Sequence, residues 1–317
     1  MKKSLAVLFL ASLTIAGITA FRPMPEASPL AQTPKVRTII VDPGHGGKAA
    51  GANGKYSYEK DICLDVALKL GKRLEEAYPD AKILYTRTTD VYTDNRWRAD
   101  FANKNGGDLF VSIHVNAMPP TKHTKFIGYK SETYYVKKGG KRVKKTRKVP
   151  KYNVYYTPNT RSGTETYIWA ADRADEKGEF VGEQVYDSLE YVPNINHPEF
   201  KAKSLLWTKK YFDKSLLLAS FVEEEFTNAG RSSNGVKQRT WEGIWVLQAT
   251  AMPSILVETG FITNEDEENY LNSEKGQNEV ADNVFNAIKR YKQQLENKNV
   301  LGKNTPKAKI NSVVSRK

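Results

Sequence analysis

The chain has 317 residues, with 49 Lys and Arg against 36 Asp and Glu, a formal charge of +13, and 11% aromatic residues. The length allows one large or two modest domains, and the aromatic share excludes a disordered chain. The single cysteine, Cys63, excludes a disulfide framework and a Cys-based zinc cluster. A strongly basic chain invites a nucleic-acid reading, so the distribution of the charge decides what it means. Residues 137–151 carry nine cations and no acid, the tail 302–317 adds five, and Lys2 and Lys3 add two. The rest of the chain is slightly acidic, so the basicity belongs to segments, which usually sit in solvated loops or tails.

In chain order, Lys2 and Lys3 precede an uncharged apolar run over 5–20 that ends in small residues, the pattern of a secretory signal peptide. Export, to a periplasm or to an extracellular or wall-associated location, makes nucleic acid an unexpected partner. Residues 21–35 hold four prolines and read as an extended linker. Residues 36–42 form an apolar strand and 44–58 a Gly-rich loop. Over 60–78 a helix is predicted, with Ile62, Val66, Leu70 and Leu74 on one face and Cys63 beside that stripe. A strand over 81–86, a helix over 93–105 capped by Thr93 and a strand over 108–114 follow. Between Met118 and Arg239 the rhythm breaks into strands at 127–136 and 164–170, a basic loop at 137–151 and a helix at 203–226. A strand over 253–259, a capping box at Asn264 and Glu267 and a helix over 275–294 complete the chain. Strands alternating with helices predict an α/β fold with a mostly parallel central sheet flanked by helices. The catalytic domain is expected over 36–296, with insertions at about 118–160 and 171–232, and a basic flexible tail over 297–317.

Three of the apolar strands lead into polar, metal-capable residues. The first runs into Gly44-His45-Gly46-Gly47, the third ends at His114, and the late one ends at Glu258. In a parallel sheet the carboxyl ends of the strands share one edge, where ligands bind. The loop leaving the first strand lies on that edge and ends at Glu59. His45, Glu59, His114 and Glu258 therefore converge, although each alone has a bland reading as a structural histidine, a helix first-turn acid or a core-edge carboxylate. Two histidines and a carboxylate form a catalytic zinc set with a fourth position open for water. A second carboxylate off the metal moves the proton, which describes hydrolysis of an amide or ester. Residues 44–49 also fit G-x-G-x-x-A, but Gly51, Asn53 and Gly54 follow, so no helix opens there. Lys48 is followed by Ala49, which excludes a P-loop.

These residues lie in stretches that resemble the zinc-dependent N-acetylmuramoyl-L-alanine amidases of the amidase 3 type. The stretches are IIVDPGHGG from Ile39, EKD from Glu59, TRTTD from Thr86, RADFAN from Arg98, DLFVSIHVNA from Asp108, GVKQ from Gly235 and PSILVETGFITN from Pro253. The resemblance spans about 36–295. It implies cleavage of the amide between the lactyl group of N-acetylmuramic acid and L-alanine in peptidoglycan, for wall remodelling or daughter-cell separation. It implies one zinc ion on His45, Glu59 and His114, with Glu258 as catalytic base and Asn116 beside the ligands or the substrate. Some members carry an inserted helix that covers the zinc until an activator protein removes it, and 171–230 is the candidate for that role here. Residues 137–151 are expected to meet anionic envelope polymers. Two rival functions share the fold: a zinc peptidase cutting within the stem peptide, and a non-catalytic wall- or polyanion-binding protein.

Overall fold

The computed structural model describes residues 36–187 and 198–296, so the expected signal peptide, linker and basic tail lie outside the described residues. Strand β1 (Thr38–Pro43) leads to α1 (Glu59–Ala77), β2 (Lys82–Tyr85), α2 (Asn95–Lys104) and β3 (Leu109–Asn116). Next come β4 (Thr121–Lys138), β5 (Lys141–Thr157), β6 (Thr164–Ile168), α3 (Ala174–Asp187) and α4 (Pro198–Asn228). The chain continues through β7 (Ser233–Gln238), α5 (Trp245–Ala249), β8 (Ser254–Phe261), α6 (Glu265–Leu271) and α7 (Glu274–Glu296).

Six strands form one sheet in the order β2-β1-β3-β8-β6-β7. The first four run parallel, β6 joins β8 antiparallel, and β7 lies parallel to β6. This is the expected mostly parallel sheet. Period-two alternation splits its side chains between two cores. Ile39, Val41, Val111 and Ile113 pack with Ile62, Val66 and Leu70 of α1, Leu218 and Val222 of α4, and Val280 and Val284 of α7. Ile40, Phe110 and Leu256 turn the other way, against Ala102 of α2 and Val246 and Leu247 of α5. Each such side chain contributes about 1.5–3 kcal/mol on full burial, so the two layers fix the sheet edge on which the site is built.

Three expectations need correction. Helix α2 is capped by Asp94, whose carboxylate accepts from Trp97 N at 2.9 Å, and not by Thr93. A carboxylate at that position also suits the positive end of the helix. Asn264 caps α6, but Glu267 does not return the bond to it; it accepts from Phe261 N at 2.6 Å and Gly163 N at 3.0 Å. Residues 137–151 are no loop. They form the turn and most of the second strand of a long antiparallel hairpin, β4–β5, whose turn is Gly139-Gly140 with φ of 56° and 75°. Two successive positive φ values are those of a type I′ turn, which matches the twist of its flanking strands.

A buried ion pair lies beneath the end of β1. Asp42 accepts from Arg98 Nη1 at 2.6 Å, Ser112 Oγ at 2.6 Å and Thr86 Oγ1 at 2.5 Å, and both charged residues are buried. Burial pushes the Asp42 carboxyl up, but the Arg98 guanidinium and the two hydroxyls outweigh it and hold the group below its ordinary 3.8. A lowered folded-state pKa gives stability that is present above the unfolded value and lost as pH falls through the folded one. Asp42→Asn should therefore be less stable than wild type at pH 7 in urea unfolding, with the difference narrowing as pH is taken below about 4. Arg98→Met, which strands a buried carboxylate, should lose about 3–5 kcal/mol in the same measurement at pH 7.

Candidate active site

The residues picked from the strand ends meet in one cleft of about 540 Å³ at the carboxyl edge of the sheet, lined by His45, Glu59, His114, Asn116, Arg239 and Glu258 among others. Each arrives by a different local device. Glu59 is the first residue of α1. His114 projects from β3 before a register shift that follows it. His45 sits on the loop after β1 with φ of 59°, a left-handed conformation that side chains with a Cβ seldom adopt.

Two buried arginines hold that loop. Arg98 donates to Pro43 O at 2.6 Å and to His45 O. Arg87 donates to Pro43 O at 3.1 Å, Gly44 O at 2.7 Å and Lys60 O at 2.7 Å, tying the loop to the start of α1. Asp90 completes the frame by accepting from Gly47 N at 2.7 Å and Lys60 Nζ at 2.5 Å. Sequence reasoning placed these residues in motifs and gave them no role. The signal available was the pairing of arginines with a Gly-rich loop whose carbonyls have no strand partner.

Glu59 stands between the two imidazoles. Its carboxylate is 3.1 Å from His45 Nε2 and 2.8 Å from His114 Nδ1, and it also accepts from Ala52 N at 2.7 Å and Val115 N at 3.0 Å. Burial pushes its carboxyl up, but the bonds to His114 and His45 dominate and hold it far below the usual carboxylate range. One donor atom from each of His45, Glu59 and His114 lies within 4.8 Å of the other two, a group positioned to bind one metal ion. Two imidazole nitrogens and a carboxylate oxygen suit a borderline divalent ion.

Glu258 is the register partner of His114 across β3 and β8 and of Glu165 across β8 and β6. It is buried, and among the described residues its Oε2 has no hydrogen-bond partner. Burial, then the charge of Glu59, push its carboxyl well above the ordinary value, while Arg239 opposes them. An orphaned buried carboxylate oxygen beside a metal-capable triad is the arrangement expected of a proton carrier. Asn116 also lines the cleft, but its Nδ2 donates to Glu165 Oε2 at 3.0 Å and its Oδ1 accepts from Ala117 N at 2.9 Å. Glu165, unforeseen in the sequence, further accepts from Tyr167 OH at 2.9 Å and Arg161 Nη2 at 2.6 Å. No described residue of 171–232 lines the cleft. Helix α4, expected within a covering insertion, instead places Leu218, Val222 and Phe226 in the core.

A profile of the family described as N-acetylmuramoyl-L-alanine amidase, Amidase_3, matches residues 39–290. The chain is 29% identical over 255 residues to N-acetylmuramoyl-L-alanine amidase AmiC of Escherichia coli, covering 80% of this chain and 52% of that protein. It therefore spans about half the length of that relative. To the amidase AmiA of Salmonella typhimurium it is 25% identical over 263 residues, 82% of this chain and 78% of that one. In fold it is similar to the amidase Ami1 of Mycobacterium smegmatis, with a TM-score of 0.51 at 15% identity over 82% of this chain and 100% of that one.

Gly51 tests how tightly the triad is packed. Its φ is 71°, and a Cβ there would lie 2.5 Å from Glu59 Oε2 and 2.7 Å from His45 Cδ2. Gly51→Ala should weaken retention of a divalent metal about tenfold or more in competition with a chelator. Gly128, with φ of 122° and nothing within 4 Å of a Cβ, is the control for backbone strain alone, and Gly128→Ala should keep the metal.

Proposed function

This chain belongs to the Amidase_3 family of N-acetylmuramoyl-L-alanine amidases, and from that premise we propose that it is an exported zinc hydrolase acting on peptidoglycan. Its bond is the amide between the lactyl group of N-acetylmuramic acid and the L-alanine of the stem peptide. His45, Glu59 and His114 hold the zinc, and Glu258 is the catalytic base. The observation that carries this reading is the unpartnered Oε2 of buried Glu258 set beside a His-Glu-His triad at one sheet edge.

When bound, zinc supplies a Lewis acid that polarises the amide carbonyl and makes water more acidic. The protein's own groups do the rest. Glu258 takes a proton from the attacking water as the water oxygen bonds to the lactyl carbonyl carbon. The C–N bond then breaks, and Glu258 returns the proton to the departing alanine nitrogen. Arg239, which lines the cleft, offsets part of the negative charge that Glu59, Glu258 and Glu165 bring together. Asn116 is tied to Glu165 and Ala117, so we assign it to positioning the cleft wall rather than to direct contact with the substrate. The signal peptide at 1–20 accounts for export to the compartment where this substrate lies. An activator protein remains part of the reading, but acting on a segment other than the buried face of α4.

Mass spectrometry of purified peptidoglycan after digestion decides the reaction. The expected products are free stem peptide beginning with L-alanine and a glycan carrying a lactyl carboxylate. A shortened stem peptide still on the glycan would establish a stem peptidase instead. Glu258→Gln should lower turnover by about 10²- to 10⁴-fold while leaving zinc stoichiometry unchanged. Removal of zinc by a chelator should abolish turnover and zinc addition should restore it, so retained activity in either case overturns the mechanism.

A further inference from the structure

Among the described residues, the β4–β5 hairpin is a large feature that the site does not use. Its second strand has 17 residues, about 55 Å at the rise of a β-strand. Between residues 121 and 157 it carries twelve Lys and Arg against one acid, Glu132. It is also aromatic: Phe126, Tyr129, Tyr134, Tyr135, Tyr152, Tyr155 and Tyr156 are all exposed. Register assigns these residues to faces. One face pairs Lys137 with Arg142, Tyr135 with Lys144, Ser131 with Lys148, Tyr129 with Pro150, Phe126 with Tyr152 and Lys122 with Tyr156. Lys137, Arg142, Lys144 and Lys148 thus occupy the turn half of that face with Tyr135 among them, Tyr129, Phe126, Tyr152 and Tyr156 occupy the root half with Lys122, and Phe126 packs edge-on with both Tyr129 and Tyr152.

The root of the hairpin adjoins the active site. Asn116 and Ala117 line the cleft, and β4 begins at Thr121. At the other end β5 leads through Arg161 into Glu165, which holds Asn116. A polymer held on the root of this hairpin would lie beside the cleft rim.

We propose that the hairpin binds peptidoglycan glycan strands stripped of their stem peptides, a proposal that takes its ligand from the amidase reading above. Hydrolysis of the lactyl amide leaves one carboxylate on every muramic acid residue and uncovers the sugar faces. Tyrosine and phenylalanine rings stack on the C–H faces of pyranose rings, and the Lys and Arg of the same face pair with the repeating carboxylates. Charge complementarity and the presence of rings and cations on one face favour this occupant over the others. An anionic membrane surface would call for one apolar face, whereas the opposite face of this hairpin also carries Lys138, Lys141, Lys145 and Arg147. A phosphate-polyol polymer offers anions but no rings.

The test uses the full chain carrying Glu258→Gln, so that binding is read without turnover. Its probes are glycan strands stripped by an unrelated amidase, the same strands with their lactyl carboxylates amidated, intact peptide-bearing strands, phosphatidylglycerol vesicles and a single-stranded oligonucleotide. Stripped strands should bind at least about tenfold more tightly than amidated or intact ones, and less tightly as salt rises. Joint replacement of Lys137, Arg142, Lys144 and Lys148 by Gln should weaken that binding about tenfold. Tyr129→Ser with Tyr152→Ser should weaken it at unchanged charge. In the wild-type background the same replacements should spare cleavage of a small soluble muramoyl peptide. Equal binding of stripped and amidated strands, a comparison that needs no hairpin variant, overturns the proposal. So does tighter binding of vesicles or oligonucleotide. Failure of wild-type protein to release stem peptide from peptidoglycan would count against the amidase reading and leave the binding result standing on its own.

Discussion

The geometry of the site depends on two guanidinium groups that touch none of its three metal-capable side chains. Glu59 and His114 come from a helix and a strand, whose backbones are fixed by their own hydrogen bonds. His45 comes from a loop in a left-handed conformation, which costs about 1–3 kcal/mol wherever a non-glycine residue adopts it. Arg87 and Arg98 offset that cost by satisfying the carbonyls of Pro43, Gly44 and His45 from below. A guanidinium presents five donors in a fixed fork, so one side chain can hold several carbonyls at once, which lysine cannot do. Arg98 is itself compensated by Asp42, so the loop is carried by a closed network of buried charge.

Above this frame the cleft gathers negative charge. Glu59 and Glu258 line it, Glu165 is the register partner of Glu258 across β6 and β8, and Arg239 and Arg161 are nearby cations. Glu59 and Glu258, which both line the cleft, have opposite environments. Glu59 is surrounded by hydrogen-bond donors that hold its carboxyl far below the usual range, whereas burial pushes the Glu258 carboxyl up, one of its oxygens having no partner among the described residues. These opposite directions follow from local burial and donors rather than from residue type.

Strand direction was enough to bring His45, Glu59, His114 and Glu258 to one edge, because apolar runs long enough to be buried strands leave little freedom in where they end. The stripes of α1 and α7 were equally legible, since 3.6-residue periodicity is a strong signal over five turns. What could not be read was mostly polar. Arg87 and Arg98 look like surface cations until the loop carbonyls they hold are in place. Glu165 lies in a five-residue strand, too short to declare a face. The density of charge over 137–151 disguised a period-two pattern whose clearest mark was Gly139-Gly140 at the turn. The helical stretch and acids within 171–230 pointed to a cover, but Leu218, Val222 and Phe226 of α4 pack in the core with the sheet.

The hairpin presents a physical difficulty of its own. A free two-stranded ribbon is marginally stable in water, and this one adds mutual repulsion among its cations. Lateral contacts offset part of this: Arg142 lies 4.8 Å from the centre of the Tyr135 ring, Arg147 lies 5.4 Å from that of Tyr134, and Arg147 pairs with Glu132 at 2.7 Å. Such exposed contacts are each worth about 1 kcal/mol or less. They favour the register but leave most of the positive charge unbalanced. An anionic polymer laid along the ribbon would remove the repulsion and cover the rings in one step. On that argument the order of the hairpin and the occupancy of its face are thermodynamically linked, and the ribbon becomes most rigid where the polymer lies beside the cleft.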